Sequence, residues 1–174
     1  SYDEETFRSL AALKLDALVG DSTCATVEGR SPSEGDVVAG INQVVSDASG
    51  RVVATCFGSN IARMQTLARA AAVSGRYLAL FGRSLVNNYQ AALETGFWDR
   101  DLTFIDPTHI GYLPPEEVMI IATGSQGDAR AALTRIAAGY HPDLELEAGD
   151  TVVFSSRDIP GNELAIERVR QALV

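Results

Sequence analysis

Five short stretches of this 174-residue chain set hydroxyl, amide or guanidinium groups directly after an apolar run. They are "DST" (residues 21–23), "GSN" (58–60), "GRS" (82–84), "TGSQGD" (123–128) and "SSR" (155–157). Such groups donate hydrogen bonds, and the chemistry they suit is the binding of an oxyanion. Glycine lets a backbone approach a ligand closely, and the first N–H groups of a following helix lack partners, so a strand-to-helix junction of this composition favours an anion. Arg63, Arg83, Arg130 and Arg157 each lie within a few residues of such a junction. An arginine near a helix N-terminus opposes the helix dipole and asks for a compensating anion or carboxylate. Phosphate is one such partner, and Asp21, Asp99, Asp128 and Asp158 are others. An ordinary glycine-rich turn with no ligand stays open as the alternative.

Other chemistries are poorly supplied. The chain has only His109 and His141, far apart, so no imidazole cluster for a metal ion is at hand. A phosphate-binding P-loop and a GxGxxG fingerprint are absent. "GRSLV" around Ser84 lacks the second glycine of a nucleophile elbow, which leaves Ser84 as a helix cap. Ser22 could serve as the nucleophile of a small serine hydrolase with His109 or His141 as base, but no Asp–His pair near the C-terminus supports it. Cys24 and Cys56 have neither metal-site spacing nor the density of a secreted disulfide framework, so the expectation is an intracellular, cytoplasmic protein with both as plain core residues. On its own residues the chain reads as built to bind.

The elements that must position these groups follow a strand–helix rhythm. Apolar runs at 15–20, 51–57, 76–81, 118–122 and 151–156 predict strands, the fourth buried on both faces. Between them, apolar residues at helical spacing predict helices: Val37, Ile41, Val44 and Val45; Ile61, Met64, Leu67 and Ala71; Leu85, Tyr89 and Leu93; Ala129, Ala132, Leu133 and Ile136; Ala165, Val169 and Leu173. "SPSE" (31–34) offers the first of these a serine cap with proline at the first helical position. "LELEAGD" (144–150) could form an edge segment. The implied fold is α/β: a parallel sheet flanked by helices on both faces, flavodoxin- or Rossmann-like. Right-handed crossovers place every strand end on one edge, where ligands of open α/β sheets bind. Asp21, Ser22, Thr23, Ser59, Asn60, Ser84, Ser125, Gln126, Ser155 and Ser156 collect there. The rhythm breaks at residues 96–117, a long irregular excursion of the kind that serves function or an interface. Within it Phe97, Trp98, Tyr112 and Leu113 are candidates for exposed apolar surface.

Size and charge bound the rest. The chain suits one domain with a single core, and 46% of its residues are hydrophobic. No apolar run is long enough to span a bilayer, and "SYDEETFRSL" is unlike a signal peptide. A net charge of −9 argues against broad capture of nucleic acid or anionic lipid, so any phosphate site must be local. Lys14 is the only lysine among 14 basic residues; the rest are arginine.

Taken in order, "LVGDST" with "SPSE", "FGSNIARMQ", "LFGRS", "YLPPEEVMIIATGSQGDARAALTRIAAG" and "GDTVVFSSRDIPGNE" resemble the β-CASP domain of the ribonuclease J group of metallo-β-lactamase-fold nucleases. "TGSQGD" and "FSSRDIPGNE" are the most specific, since generic α/β packing demands neither. The resemblance implies residues 1–174 as one β-CASP domain of a longer nuclease. Such enzymes cut RNA internally and from a 5′-monophosphate end, in a cleft between this domain and a metallo-β-lactamase domain holding two zinc ions, or manganese or magnesium. Asp21 matches the acidic residue of the first β-CASP motif, which in the family contacts a histidine beside the scissile phosphate. Ser59, Asn60, Arg63, Gly82, Arg83, Ser84, Gly124, Ser125, Gln126, Ser155 and Ser156 match positions facing the RNA, with Ser22 and Thr23 beside Asp21. Cys24 stands where relatives commonly have asparagine and Asp128 where they have glutamate. The family's histidine motifs lie outside the chain, which implies no metal of its own, an inactive fragment, single-stranded RNA and the metallo-β-lactamase domain in cis as partners, and a homo-oligomeric parent. The runner-up, read from the residues alone, is a stand-alone flavodoxin-like module for a small phosphorylated ligand or a protein partner.

Overall fold

A computed structural model describes residues 4–17, 19, 20, 26, 28, 29 and 32–174. The chain divides into two units, Ser1–Asp36 and Val37–Val174. In the first, α1 (Glu4–Ser9) runs into a 3₁₀ turn, Leu10–Ala12. The strand expected over 15–20 does not form among its described residues, of which Leu15 is half exposed and Val19 almost fully so. Helix α2 (Glu34–Asp47) starts two residues later than "SPSE" suggested. Ser33, immediately before it, donates its N–H to the Asp36 carboxylate at 2.7 Å, and its carbonyl accepts the Asp36 N–H at 3.1 Å, so Ser33 and Asp36 close the turn into the helix.

The second unit is the α/β body. Strands β1 (Val52–Thr55), β2 (Tyr77–Phe81), β3 (Val118–Ala122) and β4 (Thr151–Phe154) form one parallel sheet in the order β2-β3-β1-β4. The registers Val52↔Met119, Val52↔Thr151 and Tyr77↔Val118 bring all four C-terminal ends to one edge. Every residue of β1 and β3 is buried, as the continuous apolar run at 118–122 predicts. Alternate residues serve opposite faces. Val52, Ala54, Met119 and Ile121 pack with Ile41 and Val45 of α2, with Met64, Leu67 and Ala71 of α3 (Ile61–Val73), and with Leu85 of α4 (Arg83–Glu94). Val53, Ile120 and Ala122 pack with Leu133 and Ile136 of α5 (Ala132–Ala137) and Val169 of α6 (Glu163–Ala172). Val44, counted with the inner face of α2, is exposed instead.

Two expected elements resolve differently. Residues 144–150 form no strand, because Glu147 and Asp150 turn to hold Arg51: its guanidinium meets both carboxylates at 3.2 Å, and its N–H donates to Asp150 at 2.8 Å. The excursion at 96–117 is a local core and an edge cover. Trp98 is buried against Tyr89 and Phe104 and donates its indole N–H to the Leu102 carbonyl at 2.8 Å. The Ile105 N–H donates to the Leu78 carbonyl at 2.8 Å, occupying the outer edge of β2. Leu113 packs on the second core cluster, whereas Phe97 and Tyr112 are exposed. Among the described residues no helix is long and apolar enough to cross a membrane.

Two predictions test this packing. Gly82 has φ +134, and a Cβ there would lie 2.4 and 2.5 Å from the Thr123 side chain. Gly82→Ala should therefore destabilise the fold by about 1–3 kcal/mol in thermal or denaturant unfolding. His141 stacks on Phe81 with centroids 4.6 Å apart, and its Nδ1 accepts the Asp143 N–H at 3.3 Å, which requires the neutral ring. Burial, with help from Arg135, holds its pKa below the ordinary 6.5 against the pull of Asp143. Its contribution to stability is complete above 6.5 and is lost as pH falls through the depressed value. Unfolding titrations of His141→Phe should show a shallower loss of stability below that pH than the parent chain.

Candidate anion-binding cleft

The C-terminal ends of β2, β3 and β1 enclose a cleft of about 360 Å³. Three junctions supply its walls. From β1 come Cys56, Phe57 and Gly58; from the start of α4, Arg83 and Ser84; from the loop after β3, Thr123 to Gln126, Asp128, Arg130 and Ala131.

Local rules explain each wall. Gly82 is the residue before α4, and its positive φ lets the chain turn against Thr123 with no Cβ between them. Ser84 therefore sits inside the first turn of α4, not at its cap, and is exposed to the cleft. The helix after β3 does not begin at the strand end. Nine residues intervene before α5, Ala129 stays outside the helix, and Ala131 at its N-terminus has no capping side chain. Thr123 replaces that cap from a distance: its hydroxyl accepts the Ala132 N–H at 3.1 Å and its carbonyl the Leu133 N–H at 2.9 Å. Gly124, with φ +120, packs against the Cβ atoms of Ala131 and Leu133.

The cleft carries two guanidiniums and one carboxylate. Arg83 and Arg130 line the cleft, and neither guanidinium has an ion pair or hydrogen bond among the described residues. The first turn of α4 contains no acidic residue. Asp128 receives the Arg130 N–H at 3.0 Å, which orients its carboxylate within the loop. Ser125 is only 4% exposed, yet its hydroxyl has no hydrogen bond among the described residues. The arrangement offers two cations and two hydroxyls to an anion.

The expected site residues divide into three groups. Arg83, Ser84, Gly124, Ser125 and Gln126 come together in the cleft. Arg63, Ser155 and Ser156 gather at the end of β4, where the Arg63 guanidinium donates to the Ser155 carbonyl at 2.7 Å and hydroxyl at 2.8 Å. The Ser156 hydroxyl is buried with no hydrogen-bond partner among the described residues. Ser59 is exposed just before α3, and Asn60 caps that helix, its side chain accepting the Arg63 N–H at 3.0 Å. Asp21, Ser22, Thr23 and Cys24 lie outside the described residues. Thr123 and Arg130 were underweighted by sequence reasoning; the signal for both was their place in "TGSQGDAR", one loop carrying its own cap and cation. Among the described residues no three His, Cys, Asp or Glu side chains come together, so this donor set does not fit a metal centre.

Comparison with known proteins gives this geometry its context. The family model for the ribonuclease J β-CASP domain matches residues 49–173. Ribonuclease J of Sinorhizobium meliloti is 42% identical over 172 residues, covering 99% of this chain and 30% of that protein. Ribonuclease J of Mycobacterium tuberculosis is 41% identical over 162 residues, covering 91% and 29%. Ribonuclease J of Thermus thermophilus is 39% identical over 152 residues, covering 87% and 26%. The chain thus spans less than a third of the length of these relatives. The chain belongs to the ribonuclease J family, whose β-CASP domain it carries.

Proposed function

We propose that residues 1–174 are the RNA-binding β-CASP domain of a longer ribonuclease J-type nuclease, acting in RNA processing and decay. The cleft takes the phosphate of single-stranded RNA carrying a 5′-monophosphate. The observation that carries this reading is that Arg83 and Arg130, whose guanidiniums have no ion pair or hydrogen bond among the described residues, line one cleft with the unbonded hydroxyl of Ser125 in a chain of net charge −9. Two guanidiniums against one carboxylate, Asp128, leave a local excess of positive charge in an otherwise acidic chain, and an anion can join it. Ser84 and the backbone at Gly124 complete the first contacts. Ser59, Ser155 and Ser156 would add further contacts, and by family resemblance so would Asp21, Ser22 and Thr23; Asn60, Arg63 and Gln126 are bonded within the chain and hold the strand-end loops in place. Such contacts position a nucleic-acid backbone without reading its sequence.

Hydrolysis belongs to a metallo-β-lactamase domain in cis, which holds the two zinc, manganese or magnesium ions; the residues here bind and orient. The parent is a cytoplasmic homo-oligomer with endonuclease and 5′-exonuclease activity.

An amide chemical-shift titration with uridine 5′-monophosphate at two salt concentrations tests the binding half. Shifts should centre on Arg83, Ser84, Gly124 and Ser125 and shrink at the higher salt. Arg83→Met should weaken binding about tenfold or more, the effect of one charge-assisted hydrogen bond; shifts elsewhere, or equal affinity in the variant, would sink the assignment. The second test is a cleavage assay on the purified chain with added divalent metal, which should show no RNA hydrolysis. Cleavage that tracks with the chain through purification would refute the division of labour.

A further inference from the structure

Gln126 lines the cleft, but its carboxamide is already engaged elsewhere. Its Nε2 donates to the Arg157 carbonyl at 2.9 Å, and its Oε1 accepts the Ile159 N–H at 2.8 Å and the Asn162 Nδ2 at 3.3 Å. All three partners lie between β4 and α6. One side chain therefore bonds the loop after β3 to the loop after β4, across the end of β1, which separates those strands in the sheet. The next residue makes the same junction by shape. Gly127 has φ +73, and a Cβ there would stand 2.4 Å from the Ala165 carbonyl carbon and 2.7 Å from the Ile166 nitrogen, in the backbone of α6. Ser125, immediately before this double attachment, is a buried residue whose hydroxyl has no hydrogen bond among the described residues.

We infer that Gln126 is a positioning residue: it ties residues 157–162 to the loop of Gly124 and Ser125, fixing the Ser125 hydroxyl toward the anion and joining the cleft to the Ser155–Ser156 end of the sheet. This rests on the binding reading above. The carboxamide suits the task because it offers a donor and an acceptor at one reach, and one backbone carbonyl and one backbone N–H of the facing loop need both. With that brace in place, the site is bound to two loops that would otherwise move separately, and ligand contacts are set before the ligand arrives.

Two variants separate bracing from packing. Gln126→Met keeps the length and volume but removes every bond; Gln126→Glu keeps the acceptor for Ile159 and Asn162 and loses the donor. The brace predicts that Gln126→Met weakens uridine 5′-monophosphate binding about tenfold, speeds amide exchange at Ile159, and moves the Ser125 amide shift in the free chain. Gln126→Glu should recover the slow exchange at Ile159 and part of the affinity. Equal affinity in Gln126→Met and the parent, with unchanged exchange at Ile159, would overturn the inference. So would loss of binding in Gln126→Met with the Ile159 and Ser125 amides unmoved, since the carboxamide would then be touching the ligand itself. If the parent chain fails to bind the nucleotide, the binding reading falls, and the exchange rate of Ile159 in the two variants still decides the brace.

Discussion

One buried guanidinium frames the sheet. Arg76, just ahead of β2, is 8% exposed and donates to the carbonyls of Gly50 at 2.7 Å, Val118 at 3.3 Å and Ala48. It thereby gathers the end of α2 and the starts of β1, β2 and β3 at a single cation. Burial lowers its pKa and Glu116 works against that, but a guanidinium keeps its charge, so each bond is charge-assisted. Arg51 repeats the arrangement between β1 and β4 through Asp150, whose side chain is 4% exposed. Removing Arg51 would leave the buried Asp150 carboxylate without its counter-charge, and removing Arg76 would leave three carbonyls without their donor. The N-terminal edge of the sheet is consequently closed by internal polar bonds. Unspent donors are left at the opposite edge.

That opposite edge is stiff for a different reason. Its loops are held by close approach and by side chains that bond far along the chain: Gly82 on Thr123, Gly127 on α6, Thr123 on α5, Asn60 on α3 and Arg63 on Ser155. Each of these hydrogen bonds removes a group from the pool that could touch a ligand, so the many polar residues at the edge reduce to a few with free hydrogen-bonding capacity. Among the described residues the side chains of Arg83, Ser84, Ser125 and Arg130 remain in one cleft, with Ser59, Ser156 and Arg157 outside it. Rigid walls around unpaired donors are what binding a small anion asks of a surface.

The sequence made the α/β class and the 118–122 strand legible because both rest on periodicity, and buried apolar runs announce themselves. The apolar faces of α3 and α4 were legible for the same reason, through Met64, Leu67, Ala71 and Leu85. The run at 15–20 misled because an apolar run reads the same from sequence whether or not it pairs as a strand, and its described residues do not. Residues 144–150 misled because their alternation hid a carboxylate turn made for Arg51, a partner nearly a hundred positions away. At the site, type and place were readable for Arg83, Ser84 and Ser125. Which polar groups were already bonded was not, since the partners of Gln126, Thr123 and Arg63 lie 9 to 92 residues off.

The scarcity of lysine has an outcome for control of the cleft. Both of its cations are guanidiniums, and the chain's one lysine is Lys14. Acylation of amines, a widespread way of erasing positive charge, has no target at Arg83 or Arg130. The cleft's own cationic charge is thus out of reach of the reactions that acylate lysine.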